Sequence, residues 1–260
     1  MLIGDFNRGW QKNEWRWVTA QAQNDKWHFV QPLWIGSNEV AGNTVLLHAE
    51  QGFGDTIQFC RYVPLVAQRG AHGGSKVTAR VDENAPRRGA DRVQGRSTTQ
   101  FRRPLPVAQP AVGVWDRLVG SLDAQERSIG LSTLLPLLDF NASYVSLQRD
   151  VRAGDATVLR ERTDILHFGD ELKDFSDTAA LISNLDLVIS MDTSVAHLAG
   201  AMAKPVLVLL PFIPDWRWLL DRDDSPWYPT ARLFRQDNTR KWDNVIARVL
   251  AALNDYRLGM

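Results

Sequence analysis

Three stretches of this 260-residue chain combine glycine, hydroxyl, acidic and imidazole groups at spacings that can do chemistry. In the first, Gly52-Phe53-Gly54-Asp55-Thr56, two glycines permit a tight turn and a close approach of ligand to backbone. Free amides at the start of a following helix can face an anion. The third glycine of the dinucleotide fingerprint is missing and no Gly-Lys-Ser/Thr follows, so neither that motif nor a P-loop is present. Asp55 suits a helix cap and a functional carboxylate equally well. The second stretch is Ser190-Met191-Asp192-Thr193-Ser194-Val195-Ala196-His197-Leu198-Ala199-Gly200. After an apolar strand, Asp192, Thr193 or Ser194 can cap a helix. The amides of Thr193 to Ala196 then face the space beyond the strand's carboxyl end, where open α/β sheets hold ligands. His197 follows Thr193 by four positions and shares its helix face; the alternative is a core histidine hydrogen-bonded to the backbone. No second histidine or cysteine stands at ligand spacing, which argues against a metal site.

The third stretch, Asp215-Trp216-Arg217-Trp218, leads into Asp221, Arg222, Asp223, Asp224 and Ser225-Pro226-Trp227-Tyr228-Pro229. Trp216 and Trp218 can stack on a base or sugar, and Arg217 can pair with phosphate or carboxylate. The plainer alternative is aromatic packing tied to surface ion pairs.

These residues need elements to hold them. Thr44 to Ala49 is short and apolar, as expected of a buried strand, and Thr56 to Gln68 reads as a helix interrupted near Pro64, with Gly70 as its C-cap. Farther on, Tyr144–Gln148, Ile165–Phe168, Leu187–Ser190 and Val206–Leu210 read as strands. Leu131–Leu138 (weakened by Pro136), Phe175–Leu185, Val195–Met202 and Val245–Tyr256 read as helices. Val/Leu/Ile runs without alternation fit a parallel sheet covered on both faces. The start of the chain, with Trp10, Trp15, Trp17, Trp27 and Trp34, has helical spacing at Trp10, Glu14 and Trp17. It lacks the aliphatic residues for a core of its own, so its tryptophans are expected to pack on the neighbouring domain.

Residues 73–127 lose hydrophobic periodicity. Between Gly73 and Arg103 eight basic residues stand against three acidic ones, with no interleaved aromatic until Phe101. That pattern favours a disordered or damaged segment over nucleic-acid binding. Thirty basic residues balance thirty acidic ones, so no global attraction to nucleic acid or anionic lipid arises. The single cysteine, Cys60, excludes an intrachain disulfide and a multi-cysteine zinc site. No apolar run approaches the length of a membrane span or a secretory signal. A soluble cytoplasmic protein is expected.

The segments EQGFGDTIQFCRYVPL, DFSDTAALISNLDLVISMDTSVAHLAGAMAKPV and DWRWLLDRDDSPWYPTARLFRQ occur in this order. They resemble the glycosyltransferase-like region of bacterial tetratricopeptide-repeat proteins. That region is similar to the lipopolysaccharide heptosyltransferases (glycosyltransferase family 9) and, more distantly, to the O-linked N-acetylglucosamine transferases. The resemblance covers roughly residues 14–72 and 127–258. It implies an α/β, GT-B-like fold of two Rossmann-like domains with parallel sheets, the N-terminal one incomplete. The implied parts are a tryptophan-rich extension (1–42), a truncated acceptor domain (43–110) and a nucleotide-sugar-binding domain (111–260). Residues 73–123 depart from the family's wording, as a frameshift, a deletion or a decayed copy would each explain. The resemblance also implies metal-independent transfer of a sugar from a nucleotide sugar to an acceptor hydroxyl, with no cofactor. Asp55 stands in the place of the proposed general base, in a loop with Gly52, Gly54 and Thr56. Asp192, Thr193, Ser194, Val195, Ala196 and His197 form the pyrophosphate-facing loop. Gln148 lines the nucleotide site, Arg127 is a phosphate contact near the start of the second domain, and the segment from Arg217 to Trp227 flanks the donor pocket. The alternatives are a non-catalytic nucleotide-sugar-binding module or a decayed fragment.

Overall fold

Glycine and proline set the limits of the helices early in the chain. The computed structural model describes residues 1–18, 32–36, 39–47, 52–71, 111–115 and 129–258, and the chain divides into two units, Met1–Arg92 and Val93–Met260. In the first unit, Asp5 caps helix α1 (Phe6–Asn13) by accepting from the Arg8 amide, and a 3-10 turn, Glu14–Val18, continues it. Helix α2 (Phe53–Phe59) starts after Gly52, a 3-10 turn spans Cys60–Tyr62, and α3 (Val63–Gln68) restarts with Pro64 in its first turn. Proline has no amide to donate to the preceding turn, which is why the helix is interrupted there. Gly70 closes α3 in the left-handed region, at φ +84°, and its carbonyl accepts from the Gly42 amide. The Trp10 ring meets Phe59 edge-on at 6.0 Å, as expected of a tryptophan that lacks a core of its own, whereas Trp15 is 72% exposed.

Two expectations are corrected in this unit. Helix α2 begins three residues before Thr56, so Asp55 lies inside its first turn and the Gly52 backbone, not the Asp55 side chain, takes the cap position. Residues 44–47 belong to no strand. An apolar run becomes a strand only where a neighbour pairs its amides and carbonyls, and no ladder among the described residues includes them. Residues 48–49, Trp27 and the basic stretch 73–103 lie outside the described residues.

The described residues of the second unit form six parallel strands: β1 (Ala111–Trp115), β2 (Ser143–Ser146), β3 (Ile165–His167), β4 (Leu187–Met191), β5 (Val206–Leu210) and β6 (Ala231–Arg235). Their order is β3-β2-β1-β4-β5-β6, the order of a doubly wound Rossmann-type sheet. Around it run α4 (Leu131–Leu134, continued by a 3-10 turn at Pro136), α5 (Ala153–Glu161), α6 (Phe175–Ser183), α7 (Ser194–Ala201) and α8 (Asp243–Leu258). Every residue of β4 and of β5 is buried. Alternation sends Leu187, Ile189 and Met191 to one core with Leu134, Leu138, Val245 and Val249. Val188, Val206, Val208 and Leu210 face the other, with Leu181, Ile182, Val195 and Ala199. The two-sided cover expected of a parallel sheet is present.

Strand β1 corrects the reading of 73–127 as a zone without elements. Ala-Val-Gly-Val-Trp is short and carries a glycine, a weak strand signal, yet it takes the centre of the sheet. The glycine is required by packing, because a Cβ at Gly113 would lie 2.4 Å from Leu185 Cδ1 and 3.0 Å from Leu147 Cδ1. Helix α5 and strand β6 also escaped the pattern. At the sheet edge, β6 alternates buried Ala231 and Leu233 with exposed Arg232, its arginines mask a strand signal, and the Asp223-Asp224 segment bonds antiparallel along it. No helix among the described residues is long and apolar enough to cross a membrane.

Candidate functional site

In a doubly wound sheet a crevice opens at the carboxyl edge where successive crossovers leave on opposite sides, here between β1 and β4. Trp115 and Ser190 are register partners at that edge. The chain leaving β4 is Asp192-Thr193, followed at once by α7. The strand order therefore puts the second chemical stretch of the sequence at the switch point, which spacing alone does not reveal.

Hydroxyls lock this junction. Thr193 is the cap of α7, and its Oγ1 accepts from the Val195 amide at 3.3 Å. Ser190 Oγ donates to the Met191 carbonyl at 2.8 Å and lies 3.1 Å from Thr193 Oγ1. With its own proton committed, Ser190 must accept from Thr193. One directed chain thus runs from the Val195 amide through Thr193 and Ser190 to the Met191 carbonyl, and the Val195 amide is spent on the cap. The first turn of α7 still carries the positive end of the helix dipole, with Ser194 half-buried and Val195 and Ala196 buried. An anion at the crevice mouth would meet that field.

Beneath the junction sits His197, 4% exposed. Its Nδ1 is 2.9 Å from the Tyr228 hydroxyl and its Nε2 is 3.9 Å from Asp192 Oδ1, a carboxylate that is itself buried. The Trp218 ring stacks on the imidazole at 5.3 Å with planes 23° apart, and the Tyr228 ring meets it edge-on at 5.6 Å. The core-histidine reading therefore holds for its burial, and the Tyr228 hydroxyl is a partner of the ring. Gly200 permits the arrangement, since a Cβ there would fall 2.4 Å from Tyr228 Cγ.

Trp218 is corrected by the same packing: fully buried against His197, it is not available to stack on a base or sugar. Trp216 is half-buried and meets Trp227 edge-on at 6.2 Å. Arg217 pairs with Asp215 at 2.7 Å and lies 4.5 Å over the Trp216 ring, as the plainer alternative has it. The Trp227 indole donates to the Arg217 carbonyl at 2.7 Å. Behind this loop, Arg235 donates to the carbonyls of Trp218 (2.5 Å) and Arg222 (3.2 Å), and burial lowers its pKa from the usual arginine value. The clamp holds a segment in which Leu219 and Asp221 adopt positive φ, 55° and 51°.

Gln148 is buried two residues beyond β2, with its amide donating to Ser146 Oγ at 3.4 Å. Sheet spacing separates the ends of β2 and β4 by about 10 Å. Gly52, Gly54, Asp55 and Thr56 belong to the first unit, where Gly52 is exposed, the other three are half-buried, and the Asp55 and Thr56 amides donate to the Gly52 carbonyl. Arg127 lies outside the described residues. Among the described residues no group of three or more His, Cys, Asp and Glu side chains could hold a metal ion. Sequence reasoning passed over Tyr228 and Arg235 as working parts. Their partners are 31 positions away for Tyr228 and 17 for Arg235, distances at which spacing carries no signal.

Residues 173–212, which include α6, β4, α7 and β5, match the model of glycosyltransferase family 9 (heptosyltransferase). Over 322 aligned positions the chain is 22% identical to Protein FlbA of Caulobacter vibrioides, an alignment covering 98% of this chain and 54% of that protein. The chain thus spans about half the length of that curated relative. Among solved structures it is similar to ADP-heptose lps heptosyltransferase II of E. coli, with 19% identity, a TM-score of 0.42, and coverage of 58% of this chain and 47% of the other. The second unit is a mixed α/β fold with a parallel sheet, and its central segment is similar to the family 9 glycosyltransferases.

Proposed function

We propose that the chain is a GT-B-type glycosyltransferase that moves a sugar from a nucleotide-sugar donor to an acceptor hydroxyl. One observation carries the reading: the segment similar to family 9 contains the strand end and helix start that lie at the switch point of the sheet. In the proposed reaction the acceptor oxygen bonds to the anomeric carbon while the bond from that carbon to the diphosphate oxygen breaks. Asp55 takes the acceptor proton, which requires hydrogen-bond reach to that oxygen. The amides of Thr193, Ser194 and Ala196, with Arg127 or Arg217, stabilise the charge growing on the leaving diphosphate. Asp192 and His197 hold the loop, Gln148 lines the nucleotide, and Gly52, Gly54 and Thr56 shape the acceptor side. Residues 43–110 form the acceptor domain of this reading and 111–260 the donor domain. The scheme routes no step through a metal or cofactor. Kinship with tetratricopeptide-repeat proteins and O-linked N-acetylglucosamine transferases, and a cytoplasmic setting, belong to the same proposal.

Calorimetry with UDP-, GDP- and ADP-sugars, paired with a transfer and hydrolysis assay, tests it. Binding with turnover is expected, and Asp55→Asn is expected to lower the rate by about a hundredfold or more. Full transfer by Asp55→Asn would remove the proposed base. A second reading, a nucleotide-sugar-binding module without turnover, is favoured by the first unit, whose described residues hold helices and no strand. Tight binding with no transfer to any acceptor supports that module.

A further inference from the structure

We infer that Tyr228 is a positioning residue for the Asp192-Thr193 junction, acting by fixing the tautomer of His197; the inference rests on the phosphate-facing reading of that junction. Two polar groups among the described residues, Asp192 and Tyr228, flank the imidazole. Asp192 Oδ1, 3.9 Å from Nε2, can only accept when ionised, so a proton on Nε2 is attracted to it and a bare lone pair is repelled. That distance is too long for a hydrogen bond, and the preference is one of charge and dipole inside a buried site. With the proton on Nε2, Nδ1 is an acceptor, and the Tyr228 hydroxyl at 2.9 Å is its donor. By donating to Nδ1, the tyrosine O–H holds the ring in the tautomer that carries hydrogen toward Asp192.

The surrounding packing leaves the imidazole little room to turn. Trp218 covers one face of the ring, Tyr228 closes its edge, and both aromatic side chains are buried. Tyr228 in turn lies against Gly200, where any larger residue would displace it. Since His197 is on the same helix that Thr193 caps, a fixed ring steadies the helix start and the carboxylate above it together. Preorganised donors of this kind serve an anion better than donors that must be rearranged on binding.

The test is nitrogen NMR of the His197 side chain in the full chain at mildly alkaline pH, with calorimetric titration by UDP, GDP and ADP. The wild-type ring is expected as the neutral Nε2–H tautomer with a hydrogen-bonded Nδ1. Tyr228→Phe keeps the ring packing, and it is expected to shift the Nδ1 resonance and weaken the best-bound nucleotide about threefold to tenfold. A wild-type ring protonated on Nδ1 or on both nitrogens would overturn the inference without any variant having to fold. Unchanged ring resonances in Tyr228→Phe, or unchanged affinity in a protein that does bind nucleotide, would overturn it as well. An Nε2–H ring in a protein that binds none of the three nucleotides instead refutes the phosphate-facing reading, and leaves Tyr228 with packing alone.

Discussion

The Asp192–His197 junction and the Gly52–Thr56 turn both place small and polar residues at the start of a helix, but they are held by different means. Around Asp192 the strand below is buried throughout, the cap is a side chain, and aromatic rings fix the histidine. Around Asp55 the cap is a glycine without a side-chain bond, and Gln58 is the one buried residue of α2. Helices α1 and α3 bury none of theirs. A short isolated helix is marginal in water, and packing supplies most of a helix's stability. Similar local motifs therefore differ in how much packing supports them.

The largest expected effect contrasts the cores. Leu209→Ala removes a fully buried side chain from the sheet and should cost about 2 to 5 kcal/mol. Leu65→Ala, at a position 53% exposed on α3, should stay within about 0.5 kcal/mol. Urea denaturation measures both, and equal losses would break the contrast. Next comes the cap: Thr193→Ala should lose about 1 kcal/mol, and Thr193→Ser should recover most of it because the hydroxyl relay is retained.

Helix ends offer a subtler comparison. Helix α7 closes with Ala203 at φ 55°, its amide bonded to the Gly200 carbonyl and the Lys204 amide to that of Ala199. At α3 the corresponding left-handed residue is already Gly70. Ala203→Gly should therefore raise stability by about 1 kcal/mol, seen as a higher Tm. Gly70→Ala should lower it, all the more because the new Cβ would sit 3.2 Å from Ala41 Cβ. The opposite signs are the test.

The smallest effect is electrostatic. Arg162 donates to both oxygens of Asp164, at 2.8 and 2.7 Å, and this holds the Asp164 carboxyl below its usual range. A carboxylate with a depressed folded pKa stabilises the fold above its unfolded pKa, and that stability is lost as pH falls through the folded value. Solvent screens the pair, whose aspartate side chain is 53% exposed, so the contribution is below about 1 kcal/mol. Denaturation of Asp164→Asn should show a slightly flatter acid limb than wild type.

Much of the second unit was legible in its sequence. Four apolar runs and four helical patterns correspond to β2 to β5 and to α4, α6, α7 and α8, and in β4 and β5 burial on both faces leaves a near-continuous Val/Leu/Ile signature. Strand β1 was not, since its five residues include a glycine chosen for close packing against Leu147 and Leu185 rather than for strand propensity. The strand expected at 44–49 shows the converse, with apolar composition but no pairing among the described residues.

Local spacing is enough to read an acidic, hydroxyl-rich junction that follows a buried strand and opens a small-residue helix, because caps and helix faces are local. The position of this junction beside β1 at the switch point comes instead from the folded strand order. Tertiary packing withdraws Trp218 into the core and brings Tyr228 to His197. Strand order and side-chain partnership arise from contacts between distant segments, and no local pattern encodes them.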